Sequence, residues 1–274
     1  MILLTGGSGF VGRQVIRQLA EQGHPMRLVL RSGSPTPMNS SQDAEVIETQ
    51  DLFQADSDWW RAALTGVDTV VHLAWYAEPG KNLQSDLNLV CLSGTIELAR
   101  DCIQAGVRRF VGIGTCFDLA AGMPTTKTPL RPHTLYAACK ASAFQVLSQP
   151  LPAEGVEFAW CRLFYLYGEG EDPRRLVPYL RQKLSAGEPA ELTSGNQIRD
   201  FLDVREAGAM IAEAALGDCQ GPTNICSGIP VTVRQLAERI ADEYGRRDLR
   251  RFGVQSDNLV DPPCVVGVRE GSKA

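Results

Sequence analysis

Thr5-Gly6-Gly7-Ser8-Gly9-Phe10-Val11-Gly12 stands between an apolar stretch at 1–5 and a helical pattern at 10–22. The glycines fit G-x-x-G-x-x-G, and those at 7, 9 and 12 also fit G-x-G-x-x-G. Glycine is needed in such a loop because it allows a tight turn, a close approach of backbone to a pyrophosphate, and close packing of helix on strand. The free N–H groups and the positive helix end then face the phosphates. The segment predicts a dinucleotide site, with Gly6, Gly7, Ser8, Gly9, Phe10, Val11 and Gly12 as its residues.

Strand and helix patterns alternate after this loop. The run Asp68–Ala74 is continuously apolar, which is typical of a strand covered on both faces. The alternation predicts an α/β fold, a Rossmann-type doubly wound parallel sheet. The predicted strands are 1–5, Met26–Leu30, Val46-Ile47, Asp68–Ala74, Arg109–Ile113 and Val156–Leu163, and the predicted helices are 10–22, 83–105 and 134–149, the last stopped by Pro150.

The pattern changes after about residue 163, where prolines and charges become frequent and the elements shorter. We therefore divide the chain into a dinucleotide-binding Rossmann domain, 1–163, and a smaller C-terminal region, 164–274. The second part is expected to be mostly substrate-binding and partly discontinuous. It is also expected to return to the core sheet near 199–226.

Composition excludes several classes of protein. The net charge is −5 and no Lys/Arg-rich run is present, so no nucleic-acid partner is expected. No apolar run reaches the roughly 18 residues of a membrane span, and Met1–Thr5 lacks the charged start of a signal peptide. The eight cysteines form no C-x-x-C pair and the three histidines have no metal-ligand spacing, so no metal is expected. We expect buried thiols in a cytoplasmic protein.

The end of the second predicted strand, Leu30-Arg31-Ser32-Gly33, bears on the choice of cofactor. NAD-preferring sites usually carry an acid there, which binds the ribose 2′-hydroxyl. Arg31 and Ser32 suit a 2′-phosphate instead, and no acid is present to repel it. NADP(H) is therefore favoured, while NAD(H) stays open because Arg31 could be a solvated loop residue.

A candidate acid/base pair stands in Tyr136-Ala137-Ala138-Cys139-Lys140. The i, i+4 spacing puts the phenol and the ammonium on one helical face. A nearby cation is expected to lower the tyrosine pKa from about 10 and so make the phenol a usable acid/base. Thr115, at the end of the preceding strand, can hydrogen-bond the same substrate oxygen. We predict Thr115, Tyr136 and Lys140 as catalytic residues, with Tyr136 and Lys140 also contacting the cofactor.

Further motifs lie along most of the chain, at Asp51-Leu52, His72-Leu73-Ala74, Asn88 with Gly94-Thr95, Arg162-Leu163-Phe164-Tyr165-Leu166-Tyr167-Gly168, Arg199-Asp200-Phe201-Leu202-Asp203-Val204 and Asn224-Ile225-Cys226-Ser227-Gly228. Together with the glycine loop and the Tyr136/Lys140 pair, they resemble the extended short-chain dehydrogenase/reductases. The resemblance is to the NAD(P)-dependent sugar epimerase/dehydratase group in particular, and it spans nearly the whole sequence.

The resemblance implies cofactor contacts at Asp51 and Leu52 near the adenine, and at Leu73 and Ala74. It implies that Asn88 supports the active-site helix and a proton relay, and we include it among the catalytic candidates. For Asn88 and His72 a purely structural role in packing is the alternative.

On the substrate side, the resemblance implies a contact between Arg199 and a nucleotide diphosphate. Arg199 could instead pair with Asp200 or Asp203. We also expect Trp75 and Tyr165 to bind substrate, although many members have Asn at the position of Tyr165. A homodimer through the helices at 83–105 and 134–149 is implied, as is a further helix beyond Ala274.

The residues after Thr115 separate the reactions of this group. Dehydratases carry Thr-Asp-Glu there, whereas this chain has Thr115-Cys116-Phe117-Asp118, without an adjacent carboxyl pair. The pattern looks like that of members that reduce 4-keto-6-deoxy sugars. We therefore expect NAD(P)H-dependent reduction of a nucleotide-linked 4-keto-6-deoxyhexose. A nucleotide-sugar 4-epimerase is the alternative enzyme, and a non-catalytic dinucleotide-sensing protein is the alternative of another class.

Overall fold

Strands and helices alternate along residues 1–37, 44–257 and 262–269, which the computed structural model describes. The strands are β1 (Ile2–Thr5), β2 (Met26–Arg31), β3 (Glu45–Thr49), β4 (Thr69–His72), β5 (Arg109–Thr115), β6 (Glu157–Leu163), β7 (Tyr165–Tyr167), β8 (Ala190–Glu191), β9 (Ile198–Asp203), β10 (Gly221–Ile225), β11 (Pro230–Thr232), β12 (Arg250–Arg251) and β13 (Cys264–Val265). The helices are α1 (Gly12–Glu21), α2 (Ser57–Ala63), α3 (Leu87–Gln104), α4 (Leu135–Leu147), α5 (Pro150–Ala153), α6 (Leu176–Ser185), α7 (Val204–Leu216) and α8 (Val233–Glu243).

The main sheet has seven parallel strands in the order β3-β2-β1-β4-β5-β6-β10. The chain builds outward from β1 to β3 and then crosses to β4 on the other side of β1. Such a reversal opens a crevice at the carboxyl ends of β1 and β4, where open α/β sheets bind ligands. The predicted doubly wound parallel sheet is confirmed.

Apolar side chains cover both faces of this sheet. Residues of α1 and α7 pack on one face, and residues of α2, α3 and α4 pack on the other. Glycine allows α7 to approach α1 closely, because a Cβ on Gly208 of α7 would stand 2.6 Å from the Cβ of Gln14 on α1. In β5, Gly112 and Gly114 make room for the indole of Trp160, which would lie 2.4 and 2.3 Å from their Cβ atoms.

The C-terminal part has its own small sheet and core. In that sheet β9 pairs with β7, β11 and β13, and apolar residues of α6 and α8 pack together beside it. The region was expected to return to the core sheet near 199–226, but only β10 joins that sheet, because β9 pairs within the smaller one. The division of the chain at residue 163 stays a prediction.

Several helices begin or end at residues other than those predicted from the sequence. The helix expected at 83–105 begins at Leu87 and follows a single 3-10 turn, Asn82–Gln84. Helix α2 was not predicted; Asp56 caps it by accepting a hydrogen bond from the N–H of Trp59 at 2.8 Å. Pro150 ends one helical pattern and starts the short helix α5, because proline is tolerated in a first turn. Among the described helices none is long and apolar enough to cross a bilayer.

Candidate functional site

The glycine loop joins β1 to α1 at the crevice. Gly6 has a φ of +72°, and the N–H of Gly9 donates to its carbonyl at 3.1 Å. A Cβ on Gly12 would stand 2.2 Å from the same carbonyl oxygen. Ser8 and Gly9 are exposed, while Phe10 and Val11 pack against the core beneath. No side chain caps α1, and the N–H groups of Arg13 and Gln14 donate to the loop carbonyls of Gly9 at 3.1 Å and Val11 at 3.0 Å. The loop therefore fits a dinucleotide pyrophosphate.

The ends of β2 and β3 lie at the same edge of the sheet. Arg31 is exposed, and the backbone N–H of Ser32 donates to the carbonyl of Thr49 at 2.9 Å. Asp51 follows β3, and its carboxylate accepts from the N–H of Phe53 at 3.0 Å. Leu52 packs against the core on the α2 and α3 side. These residues surround the place where the adenosine half of a dinucleotide would lie.

His72 is buried beneath the loop and links β1 to α3. Its Nδ1 lies 2.8 Å from the Thr5 hydroxyl and its Nε2 lies 2.9 Å from the Thr95 hydroxyl. Since Thr95 donates its own proton to the Cys91 carbonyl at 2.7 Å, it must accept from Nε2–H. Burial lowers the pKa of His72 to about 3, so the ring is neutral. Leu73 and Ala74 run past Gly6, whose Cβ would stand 2.6 Å from the Ala74 nitrogen.

Three of the four predicted catalytic residues, Thr115, Tyr136 and Lys140, come from β5 and α4. Thr115 is the last residue of β5, and Thr134 caps α4 by accepting from the N–H of Ala137 at 3.1 Å. The cap fixes the first turn of α4, which carries Tyr136. The Thr115 hydroxyl lies close enough to Tyr136 to influence the pKa of its phenol. The structure thus brings together the phenol and the hydroxyl that the sequence predicts.

The expected lowering of the Tyr136 pKa is not found. Burial raises this pKa above its ordinary value, and the nearby Thr115 hydroxyl and the charge of Arg175 only oppose the rise. Lys140 does not lower the Tyr136 pKa as predicted, because its ammonium is directed to the carbonyl of Ile113, to which it donates at 2.6 Å. Burial also lowers the pKa of Lys140 to about 7.

Trp75 and Asn88 lie around that ammonium. Lys140 Nζ stands 3.8 Å from the centre of the Trp75 ring, at cation–π distance. The indole N–H donates to Asn88 Oδ1 at 2.9 Å, and Asn88 Nδ2 donates to the carbonyls of Asn82 at 2.6 Å and Ser85 at 2.8 Å. Asn88 therefore fixes the ring that covers Lys140.

A cleft of about 310 Å³ includes two of the three predicted substrate residues in its lining and does not include Trp75. Tyr165 and Arg199 both line it, and the Arg199 guanidinium lies 5.1 Å from the Tyr165 ring centre. The Phe117 ring, which follows Thr115, meets the Tyr165 ring edge-on at 5.8 Å. A second cleft of about 230 Å³ shares Leu176, Thr193 and Val233 with the first, so the two form one groove.

The acids next to Arg199 are engaged with other groups. Asp200 accepts from the N–H groups of Ser227 at 2.7 Å, Gly228 at 2.9 Å and Gly267 at 3.1 Å. Asp203 caps α7 by accepting from the N–H of Arg205 at 2.8 Å. Both carboxylates thus accept hydrogen bonds from backbone N–H groups.

Sequence reasoning missed Arg175 and Glu171, which also line the first cleft. Arg175 Nε lies 3.5 Å from Glu171 Oε1, and burial raises the pKa of Glu171. Their i, i+4 spacing in the stretch 169–175 is the only available signal, and it is indistinguishable from an exposed ion pair. Across the described residues no group of His, Cys, Asp and Glu side chains is arranged to hold a metal.

Known proteins resemble this chain over most of its length. A dTDP-6-deoxy-L-talose 4-dehydrogenase (NAD(+)) of Aggregatibacter actinomycetemcomitans is 23% identical over 272 residues, which cover 98% of this chain and 99% of that protein. A dTDP-6-deoxy-L-talose 4-dehydrogenase (NAD(P)(+)) of Kitasatospora kifunensis is 26% identical over 260 residues, 89% of this chain and 79% of that protein.

The crystal structure of the UDP-glucose 4-epimerase of Thermus thermophilus in complex with NAD superposes with a TM-score of 0.85. It is 21% identical and covers 98% of this chain and 90% of that one, a likeness that shows the fold. The model of the NAD dependent epimerase/dehydratase family matches residues 2–225. The resemblance inferred from the motifs is thereby confirmed, and the chain belongs to the NAD dependent epimerase/dehydratase family.

Proposed function

We propose that the protein reduces a nucleotide-linked 4-keto-6-deoxyhexose, with NADPH as the favoured cofactor. The observation that carries this proposal is the placement of the Tyr136 phenol near Thr115 at the end of β5 and near Arg175, which lines the cleft. Reduction of a ketone needs a proton donor, and a tyrosine with its ordinary pKa of about 10 already holds its proton at neutral pH. The sugar-nucleotide dehydrogenases among the relatives support the substrate class.

Each residue then has a distinct task. A dinucleotide held by the glycine loop would supply the hydride. Tyr136 delivers a proton to the ketone oxygen, and Thr115 orients that oxygen. Lys140 provides a buried positive charge near the developing alkoxide and a donor for a ribose hydroxyl. Arg199 and Arg175 provide cations in the cleft that suit a diphosphate.

The test of this function is a screen of nucleotide-linked 4-keto-6-deoxyhexoses with NADPH and with NADH. Loss of reduced-cofactor absorbance in step with appearance of the alcohol is the expected result. An epimerase would instead regenerate its cofactor and leave the absorbance unchanged while the product epimer accumulates. A sensing protein would bind dinucleotide and turn over none of these substrates.

A first prediction concerns the cofactor. Arg31 is exposed at the carboxyl end of β2, where the adenosine ribose is expected. The protein should bind NADPH several-fold more tightly than NADH, and Arg31→Asp should reverse this order because it puts a carboxylate beside the 2′-phosphate. Calorimetric titration of both cofactors checks it. Equal or tighter binding of NADH by the unmutated protein would contradict the NADP preference.

A second prediction concerns the substrate. A charge-assisted contact contributes roughly 1.5–3 kcal/mol, so Arg199→Ala should raise KM for the nucleotide sugar about tenfold or more. NADPH affinity should stay unchanged. Arg205→Ala is a matched control, since this exposed arginine pairs with Glu169 away from the cleft. If Arg199→Ala weakens NADPH instead, the assignment of Arg199 to the substrate fails.

The assembly and its location are also proposed. Leu87, Leu89 and Val90 on α3 and Val146 on α4 are apolar and at least one-third exposed. Such side chains on adjacent helices suit a homodimer built through α3 and α4. The cysteines of the described chain are all free, which suits the reducing cytoplasm.

A further inference from the structure

Among the described residues, Glu171 is the one acid in the lining of the first cleft, whose other charged residues are Arg175 and Arg199. The side chain of Glu171 is only 4% exposed. An acid is an unexpected neighbour for a bound diphosphate, because like charges repel each other more strongly in a partly desolvated cleft than in water. Glu171 therefore needs an explanation that the two arginines do not supply.

Backbone and arginine contacts hold this carboxylate in place. Glu171 Oε2 accepts from the N–H of Gly168 at 3.3 Å, and the N–H of Glu171 donates back to the Gly168 carbonyl at 3.2 Å. Glu171 Oε1 lies 3.5 Å from Nε of Arg175, whose side chain is 45% exposed. Burial raises the pKa of Glu171, and Arg175 and the Gly168 N–H oppose that rise. Both contacts favour the ionised carboxylate.

The segment that carries Glu171 also touches the glycine loop. Arg13 Nε donates to the Gly9 carbonyl at 3.4 Å, and a terminal nitrogen of Arg13 donates to the Gly170 carbonyl at 3.4 Å. Since Glu171 follows Gly170 directly, it stands at the end of the cleft nearest to the glycine loop. The sugar carbon that receives a hydride must lie at this end, because transfer requires contact between the reacting atoms.

A nucleotide sugar and a free nucleotide differ in what they present at this end. The sugar presents hydroxyl groups, which can donate hydrogen bonds to a carboxylate, whereas a nucleoside diphosphate presents a terminal phosphate with additional negative charge. Arg175 and Arg199 attract both ligands, because both contain a diphosphate. Discrimination is a difference between two affinities, and a repulsive group can supply it.

We propose that Glu171 is a specificity-determining residue that selects sugar-linked nucleotides. Its carboxylate accepts hydrogen bonds from the hydroxyls of the hexose and repels the terminal phosphate of a free nucleoside diphosphate. The selection of a sugar rests on the proposed function, because it takes the substrate to be a nucleotide sugar. Binding can nevertheless be measured without any turnover.

Paired probes test this selection by calorimetric titration in the presence of NADPH. The probes are dTDP, UDP and GDP, each beside its glucose ester, which has no ketone and is not reduced. For the nucleotide that binds, the unmutated protein should prefer the sugar-linked form. In Glu171→Gln the nucleoside diphosphate should bind more tightly and the sugar-linked form more weakly. The ratio of the two affinities should fall by about tenfold or more, because an amide carries no charge and makes weaker hydrogen bonds.

Two further variants separate the charge from the structure of the loop. Glu171→Asp keeps the charge on a shorter side chain, so it should reject the nucleoside diphosphate better than Glu171→Gln does. Glu169→Gln is the matched control, because Glu169 is an exposed acid of the same segment that pairs with Arg17 and Arg205. It removes an equal charge outside the cleft lining and should leave both affinities unchanged.

An unchanged ratio of affinities in Glu171→Gln, with thermal unfolding still cooperative, overturns the proposal. Equal tightening of both ligands also overturns it, since the carboxylate would then lie beside the diphosphate that they share. The same holds if the unmutated protein binds none of the probes. If it binds nucleotide sugars but reduces no keto sugar, the proposed function fails, and the ratio measured with the glucose esters still decides the role of Glu171.

Discussion

Tyr136→Phe is expected to lower kcat for reduction of the keto sugar by about 10²–10⁴-fold, the usual range for a positioned general acid. The phenyl ring keeps the packing of the half-buried side chain and removes only the hydroxyl near Thr115. NADPH binding should therefore persist. Stopped-flow measurement of hydride transfer, beside a titration of NADPH, checks both halves of this expectation.

Substitutions of the neighbouring residues should affect activity and cofactor binding in different ways. Lys140→Met should lose activity and also weaken NADPH, because one ammonium serves the reaction and the ribose. Thr115→Val should have the mildest effect, since Tyr136 can still hold the ketone oxygen. If Tyr136→Phe reduces the sugar at the unmutated rate while folded and saturated with NADPH, the proposed mechanism is wrong.

Gly12→Ala is expected to abolish tight dinucleotide binding and to destabilise the fold. Its Cβ would stand 2.2 Å from the Gly6 carbonyl oxygen and 2.8 Å from the Gly7 Cα, and both are backbone atoms that cannot swing away. Forcing extra volume into packed structure typically costs about 1–3 kcal/mol. Relief of this clash must open the loop that faces the phosphates, so NADPH affinity should fall by about tenfold or more.

Gly7→Ala is the matched comparison for that prediction. Its Cβ would meet only the tip of the Ile16 side chain, Cδ1, at 2.7 Å. The tip can rotate, so the free energy of unfolding should fall less than in Gly12→Ala. Chemical denaturation with and without NADPH separates the two variants. Equal stability of Gly12→Ala and the unmutated protein would refute the steric argument.

The parallel sheet and the loop could be predicted because their signals are local. Gly6 to Gly12 and the run Asp68–Ala74 carry constraints within a few residues, and both match the structure. The position of β9 could not be predicted, because its pairing with β7, β11 and β13 is decided by tertiary contacts and not by the apolar pattern of residues 198–203.

Within the candidate site, spacing predicted which side chains share a face but not where they point. The i, i+4 pair puts Tyr136 and Lys140 on one side of α4, yet the ammonium binds the Ile113 carbonyl and lies under the Trp75 ring. The direction of a pKa shift depends on such contacts and on burial, so the sequence could name Tyr136 and still predict the wrong sign. The burial of Asp118 could not be predicted either, since an acid after a strand is ordinarily exposed.

β10 forms one edge of the main sheet and α7 covers part of one face, and both affect how the chain can fold during its synthesis. β10 pairs with β6, and α7 packs on α1, although both come late in the sequence. The buried Arg109 at the start of β5 donates to the carbonyls of Ala214 at 2.9 Å and Cys219 at 2.6 Å, which are made about a hundred residues later. A nascent chain that has left the ribosome only as far as β6 therefore exposes a bare strand edge and an uncovered apolar face. Until residue 225 emerges it is a target for chaperones and for aggregation, so the N-terminal 163 residues are not expected to fold as an independent unit.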